Sequence, residues 1–588
     1  MRGGVGLQPR LYDDAAWTMR RMPTVPLRWR DYARSVLRDD LLAAVVISVL
    51  LIPQSLAYAL LAGLPPQVGL YASLLPLVAY AAFGSSPVLS VGPAAVLALM
   101  ISQALAQVPA DVGAVPAALV LAAEVGLLLA LAAWWRLDAL AALLSVPVLH
   151  GFETGATFSI ALSQMPVLLG ASAHGSNLPE VVSSWWRADT AWVPLTAAFG
   201  AVAMLLLWLV RRYAAAWLAR HVGAGMARQA VRFMPLVVLL LAIVVAAGVD
   251  AQGHGVTLIG ALPPMTPRLT LPPVDAALWW RLLPSALPIA LVAFVSSLVV
   301  AESFGRRLGH LIDPRRELAG LAAANLAAAF SAGMPVAASF SRSAVSVDAG
   351  SRTRMAGVFT AALMGAAMLL LARPLAALPT TVLAATIVVA VLSGLAFGPF
   401  REAWRYSRAE AVLMVVVALL TLTAGVGWAL GIGVAASIGL LLQRTARPHV
   451  ALIGRVPGTE HYRNVGRFET ELTAGVTALR IDESLLFTNA RQLGDVVQQH
   501  LARHPDTRRV VLLMSPVNRI DFSGLEALKA LHEALAARGI RLDLSEVKGP
   551  VLDALRAGGW SGWFRGRLFL SQHHAMRDDQ DSGVCWVH

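Results

Sequence analysis

From Leu41 to about residue 443 the chain is almost continuously apolar, broken only by short polar connections. A helix crossing the hydrocarbon layer of a membrane needs about 20 apolar residues. The apolar blocks run over 41–61, 67–83, 93–108, 113–134, 139–161, 191–211, 232–249, 282–304, 317–331, 340–350, 355–372, 377–397, 408–424 and 426–443. The chain is 57% hydrophobic and only 14% charged over 588 residues, where a soluble globular protein carries about 25% charged residues. That excludes an ordinary soluble enzyme and excludes disorder. The chain reads as a polytopic membrane protein. Blocks near 93, 317 and 340 are short and interrupted by Gly or Pro. Such blocks suit discontinuous helices facing a central site, with kinked or tilted helices as the alternative.

Arginine placement gives the orientation. With the N-terminus inside, the loops Arg211 to Arg232, Arg306 to Arg316, Arg352 to Arg354 and Arg401 to Arg408 all fall in the cytoplasm. Arg187 and Arg268 are exceptions on the other side. An even number of spans puts both termini inside, in a plasma (inner) membrane. The formal charge of +12 is therefore a topology signal. It does not form the clustered basic surface beside aromatic platforms that nucleic-acid binding needs. Residues 1–40 carry eight Arg and five Asp without the apolar core of a signal peptide. They read as a cytoplasmic segment with an amphipathic stretch near Trp29 to Arg38. The lone Cys585 excludes an intramolecular disulfide and a cysteine-built metal site; no cofactor is implied.

The membrane domain is bounded at 41–443, and from about 450 to 575 the chemistry is that of a soluble domain. VTALRI over 476–481 reads as a strand. FTNARQLGDVVQQHLARH reads as a helix with Asn489 as a candidate cap, and the strand RRVVLLMSP begins at Arg508. DFSGLEALKALHEALAARG is a helix with Leu525, Leu528 and Leu531 as its apolar stripe and Gly539 as its stop. IRLDLSEV is a further strand, and PVLDALRAGG a short helix. Strands alternating with helices predict a small α/β domain. Residues 576–588 read as a polar tail, and the neighbouring His573 and His574 as exposed rather than metal-ligating.

The chemistry-bearing residues lie in the membrane part. Gln54 and Tyr58 are four apart and share one helix face. In Ser90-Val91-Gly92-Pro93-Ala94-Ala95, Ser90 suits a cap and Pro93 a first turn, so a helix is expected to start near Gly92. Its free N–H groups and dipole would favour an anion. Ser339-Phe340-Ser341-Arg342-Ser343, after Gly333-Met334-Pro335, predicts a second such start with a fixed positive charge. An Arg inside a short membrane helix is costly and points to function, unless Arg342 merely ends on the cytoplasmic face. Two helix starts meeting in the membrane would hold an anion with oriented dipoles and donors.

The run from Ile52 to Ala98 resembles the sulfate-permease (SulP) family of anion transporters. So do Glu317-Leu318-Ala319-Gly320-Leu321-Ala322-Ala323-Ala324-Asn325 and the later Phe340-Ser341-Arg342-Ser343. Asp521-Phe522-Ser523-Gly524 resembles the STAS domain attached to those transporters. The resemblance implies an all-α membrane domain of fourteen segments in two inverted seven-segment repeats, forming core and gate domains, followed by a cytoplasmic α/β STAS domain. A homodimer is implied as well. It also implies that Gln54, Tyr58, Ala94, Ala95, Ser341 and Arg342 surround the anion, with the backbone N–H groups of Ala94 and Ala95 serving as donors.

In one place the chain departs from the pattern. Many prokaryotic relatives are similar to GFxES in the eighth segment, whereas this chain has Ala293-Phe294-Val295-Ser296-Ser297, with Ser296 at the acidic position. That puts coupling through a carboxylate there in doubt. Glu153 and Glu302 are the remaining candidates for a coupling proton. Glu302 also stands four residues before Arg306, and an ion pair is the preferred reading. Ser523 is similar to the residue phosphorylated in stand-alone anti-anti-sigma STAS proteins, although Ser-Gly before a helix is also an ordinary cap. Support of folding, trafficking or dimerisation is preferred for the domain.

The expected function is secondary active transport of an inorganic anion by alternating access, sulfate first, through exchange or proton-coupled symport. Sodium-dependent bicarbonate or dicarboxylate transport is the runner-up, and an anion channel or scaffold with a regulatory STAS domain is a further class. A nucleobase symporter would gain little from Arg342.

Overall fold

The computed structural model describes residues 34–109, 111–137, 145–171, 177–187, 193–260, 269–393 and 395–578. The leader up to residue 33, Cys585 and the end of the polar tail lie outside the described residues. The chain divides into two compact units between Ser437 and Ile438.

Each of the fourteen apolar blocks carries helix. Among the described residues, six helices are long and apolar enough to cross a membrane: Val36–Leu61, Pro66–Phe83, Ala114–Trp134, Pro194–Ala214, Ala276–Leu308 and Val426–Ala446. The helices used below are α1 (Arg34–Leu61), α2 (Ala95–Leu105), α3 (Ala114–Trp134), α4 (Val146–Ser163), α5 (Ala276–Leu308), α6 (Pro314–Phe330) and α7 (Phe340–Asp348). Arg34 to Arg38, expected to lie on the membrane surface, already belong to α1.

Small residues let these helices approach until backbones touch. A Cβ on Gly69 would sit 1.8 Å from the carbonyl oxygen of Ser55, and one on Gly151 2.4 Å from that of Met414. Helix association in lipid relies on such close packing, because lipid tails are as apolar as the side chains.

Helices α2 and α7, of 11 and 9 residues, are too short to span the membrane. Each follows a two-residue strand, β1 (Val91–Gly92) and β2 (Ala337–Ala338), and the two strands pair antiparallel with Val91 opposite Ala338. The membrane unit is therefore not wholly helical. Extended backbone at membrane depth must find its hydrogen bonds inside the protein, and pairing the two breaks with each other supplies them.

The second unit holds a six-stranded sheet in the order β4-β3-β5-β6-β7-β8. The strands are β3 (Val450–Arg455), β4 (Tyr462–Asn464), β5 (Val476–Ile481), β6 (Arg509–Leu513), β7 (Arg541–Ser545) and β8 (Leu568–Phe569). Strands β5 to β8 are parallel, and β3 runs antiparallel to β4 and β5. The connections carry α8 (Ala490–Arg503), α9 (Phe522–Ala536) and α10 (Gly549–Ala557), as parallel neighbours require. Leu525, Leu528, Leu531 and Leu535 of α9 enter one core with Val510, Leu512, Leu542 and Leu544.

Two expectations for this unit need correction. Residues 572–577 form a packed helix, α11 (Gln572–Arg577), whose Gln572, Ala575 and Met576 are buried. The polar tail thus cannot begin at 576, and His573 and His574 are half-buried rather than exposed. One helical turn is too short for an apolar period to register in the sequence. Asn489 is the residue before α8, yet its side chain makes no cap bond; it donates instead to the carbonyls of Ser484 and Thr445.

Candidate functional site

The first helix start lies three residues later than the sequence suggested. Gly92 belongs to β1, and α2 begins at Ala95 after Ala94 in extended conformation, with no side-chain cap. Strand pairing, not Ser90, sets the boundary. Ser90 uses its backbone instead: its N–H donates to Ser343 Oγ at 3.1 Å, and its carbonyl accepts from the Ser339 N–H at 3.1 Å. The first intrahelical bond of α2 runs from the Ala98 N–H to the Ala94 carbonyl. The first-turn N–H groups therefore have no partner within the helix, as at any helix start. Ala94, Ala95 and Val96 are half-buried. The second start falls at Phe340 with Ser339 before it, as the sequence suggested.

Arg342 joins the two. It sits in the first turn of α7 and is 1% exposed. Its Nη1 donates to the Pro93 carbonyl at 2.8 Å and to Gln54 Oε1 at 3.2 Å. Its Nε and Nη2 are buried without a hydrogen-bond partner among the described residues. A Cβ on Gly92 would stand 3.5 Å from Nη2, so the bare backbone of Gly92 lies against the guanidinium. Tyr58, 6% exposed and one turn beyond Gln54, is within electrostatic reach of Arg342. Buried guanidinium donors without acceptors are costly, and two are held here beside a helix start whose dipole is also positive. An anion answers both. Ser341 is exposed and its Oγ lies 3.1 Å from that of Ser339.

Three residues hold this arrangement and escaped notice as site residues. Asn325 accepts the Val336 N–H at 2.9 Å and donates to the Val336 carbonyl at 3.1 Å, the way a neighbouring strand would. Ser297 Oγ accepts from the Ala338 N–H at 2.9 Å, and Ser343 receives Ser90. Asn325 and Ser343 stood inside motifs noted in the sequence, but their roles depend on partners far along the chain. Ser296 is half-buried and donates to the Val292 carbonyl of its own helix at 2.6 Å; its neighbour makes the cross-helix contact.

The carboxylates also sort by environment. Glu153 is exposed on α4, 3.5 Å from His150 Nδ1. Glu302 faces Arg306 at 4.0 Å, both in part exposed. Among the described residues of the membrane unit, three others not singled out beforehand are buried: Asp40, Glu124 and Glu317. Glu317 accepts from Tyr80, from the N–H and hydroxyl of Ser85 and from the Ser86 N–H. Glu124 in α3 is 3% exposed, and its Oε2 has no partner among the described residues. In the second unit Ser523 is exposed, and the cap of α9 is Asp521, which accepts from the Gly524 N–H at 2.8 Å.

Comparison with known proteins gives this geometry a family. The model of the sulfate permease family matches residues 37–417, and that of the STAS domain matches residues 467–575. The chain is 32% identical to a probable sulfate transporter 4.2 of Arabidopsis thaliana over 94% of its own length and 81% of the relative's. It is also 32% identical to a probable sulfate transporter of Mycobacterium tuberculosis, covering 90% and 93%. In fold it is similar to the murine Solute Carrier 26 family member A9 anion transporter in the inward-facing state. That match has TM-score 0.82 at 21% identity and covers 93% of this chain and 92% of that one. The transmembrane domain of a cyanobacterium bicarbonate transporter, BicA, matches with TM-score 0.57 at 18% identity, covering 68% and 97%. The chain belongs to the sulfate permease family, as a multi-pass membrane anion transporter with a C-terminal STAS domain and not an enzyme.

Proposed function

We propose that this transporter carries sulfate by alternating access, with the anion held between the starts of α2 and α7 by Gln54, Tyr58, the backbone N–H groups of Ala94 and Ala95, Ser341 and Arg342. The observation that carries the reading is the buried guanidinium of Arg342, with Nε and Nη2 unpartnered beside a helix start. A dianion is favoured because a fixed charge and two dipole ends together outweigh what one negative charge neutralises. Family relatives named as sulfate transporters support the choice. The paired breaks at β1 and β2, each followed by a short helix, support fourteen segments in two inverted seven-segment repeats that form a core and a gate. The transport domain spans 41–443 and the STAS domain 450–575. The protein works in the plasma membrane as a homodimer, with both termini and the STAS domain in the cytoplasm and protons or sodium as candidate co-substrates.

Counterflow in sealed proteoliposomes tests this. Vesicles loaded with unlabelled sulfate should take up labelled sulfate, and Arg342→Ala should not. Folded wild-type protein that shows no uptake sinks the sulfate assignment; bicarbonate and dicarboxylates in the same vesicles then identify the anion.

A further inference from the structure

Glu124 stands at the middle of the 21-residue α3. A carboxylate buried in the middle of a membrane helix without a partner is the least favourable way to keep a charge, and a proton removes that charge. Among the described residues its Oε2 has no hydrogen-bond partner. Helix α3 packs against α6, α5 and α2. On α6 the charged residues are Arg315, Arg316 and Glu317, all in its first turn. Arg315 Nε donates to the Ala133 carbonyl at the far end of α3, and Glu317 is satisfied by Tyr80, Ser85 and Ser86. On α5, Arg281 is exposed, Glu302 faces Arg306, and Arg307 lies in the last turn. Helix α2 carries no ionisable residue.

Two further features connect Glu124 to transport. Leu128, Leu131 and Ala132, which follow Glu124 on the same helix face, line a cavity of about 1070 Å³. Glu124 itself does not line this open space, whose polar lining includes Gln103, Gln107, Asn177 and Glu180; its helix face enters it one turn on. Gly126, two residues on, touches the backbone of α6: a Cβ there would stand 2.9 Å from the Leu326 nitrogen. Leu326 follows Asn325, whose side chain holds Val336 at the entrance to β2 and so fixes the approach to Arg342.

Taking the anion-transport reading as given, we infer that Glu124 is the proton-carrying carboxylate of this transporter. Its O–H bond is intact while the residue stays buried in α3, at 3% exposure. When a shift of α3, α5 and α6 opens the residue to water on one side, water takes the proton and leaves the carboxylate; a proton taken from water on the other side re-forms the bond, so that one proton crosses with each anion. Rearrangement at Glu124 reaches the site through Gly126, Leu326 and Asn325.

The test uses the full chain in proteoliposomes, comparing wild type with Glu124→Gln, which keeps the shape of the protonated acid. With one coupled proton, an inward gradient of one pH unit should raise the limiting sulfate accumulation about tenfold. Glu124→Gln should keep counterflow at equal pH and lose the gradient effect. Gradient-driven accumulation that survives in Glu124→Gln, or is missing from a wild type with sound counterflow, overturns the assignment. A wild type without counterflow fails the sulfate reading instead. The infrared C=O band of a protonated carboxyl needs no transport and decides the matter if Glu124→Gln loses counterflow. A band present in wild type and missing from the variant supports the assignment, and an unchanged spectrum overturns it.

Discussion

Arg342 Nη1 donates to Gln54 Oε1 at 3.2 Å across 288 residues of sequence. The first membrane helix and the short helix α7 are thereby tied at the point where β1 gives way to α2. The same nitrogen holds the Pro93 carbonyl. One charged group thus fixes three segments, while two of its nitrogens have no partner among the described residues.

Removing the acceptor should weaken the site without dismantling it. A hydrogen bond to a charged group contributes about 1.5–3 kcal/mol, so Gln54→Ala should lower sulfate uptake about tenfold or more. Arg342→Lys should fail to restore transport, because an ammonium cannot bond Gln54 and Pro93 while presenting a fork to an anion. Initial rates of labelled sulfate counterflow measure both.

The adjacent serines should behave differently. Ser297→Ala leaves the Ala338 N–H of β2 buried without an acceptor, a loss of about 1–3 kcal/mol, and should reduce both thermal stability and transport. Ser296→Ala removes only a bond within its own helix and should leave both nearly unchanged. Comparable losses in the two variants would contradict the role given to Ser297.

Backbone contact between helices predicts a steric effect. Gly69→Ala would place a methyl group 1.8 Å from the Ser55 carbonyl oxygen. It should destabilise the protein by about 3 kcal/mol or more, seen as a lower melting temperature in detergent. Gly431→Ala has nothing within 4 Å of the new methyl and should melt like wild type.

In the STAS domain, hydrogen bonds from Arg480, at 2.5 and 2.9 Å, hold the Asp482 carboxyl below the usual carboxylate range against the effect of partial burial, and His449 adds to them. A carboxyl lowered on folding contributes stability that is fully present above its unfolded value of about 3.9. That contribution is lost as pH falls through the lower folded value. Asp482→Asn should therefore flatten the fall in melting temperature below about pH 4. The effect should be about 1 kcal/mol or less, because the partners are partly exposed.

The cap of α9 separates structure from regulation. Asp521→Ala should cost about 1 kcal/mol, as N-cap losses do, and should also free the Phe487 N–H that Asp521 accepts at 2.7 Å. Ser523→Ala, at an exposed position, should leave the melting curve unchanged.

The sequence by itself determined the membrane character, the positions of fourteen apolar helical blocks and the α/β nature of the C-terminal unit. Hydrophobic run length and period are local properties, and Leu525, Leu528 and Leu531 declare their face within one helix. It also marked Gln54, Tyr58 and Arg342, because polar groups in apolar runs are conspicuous. Only the tertiary structure decided that α2 starts at Ala95 rather than near Gly92, since β1 forms only when β2 arrives from 246 residues away. It likewise decided that Asn325, Ser297 and Ser343 serve as clamps, and that Glu124 is buried alone while Glu153 is exposed. Burial and hydrogen-bond partnership belong to pairs of distant segments, and no local pattern encodes them.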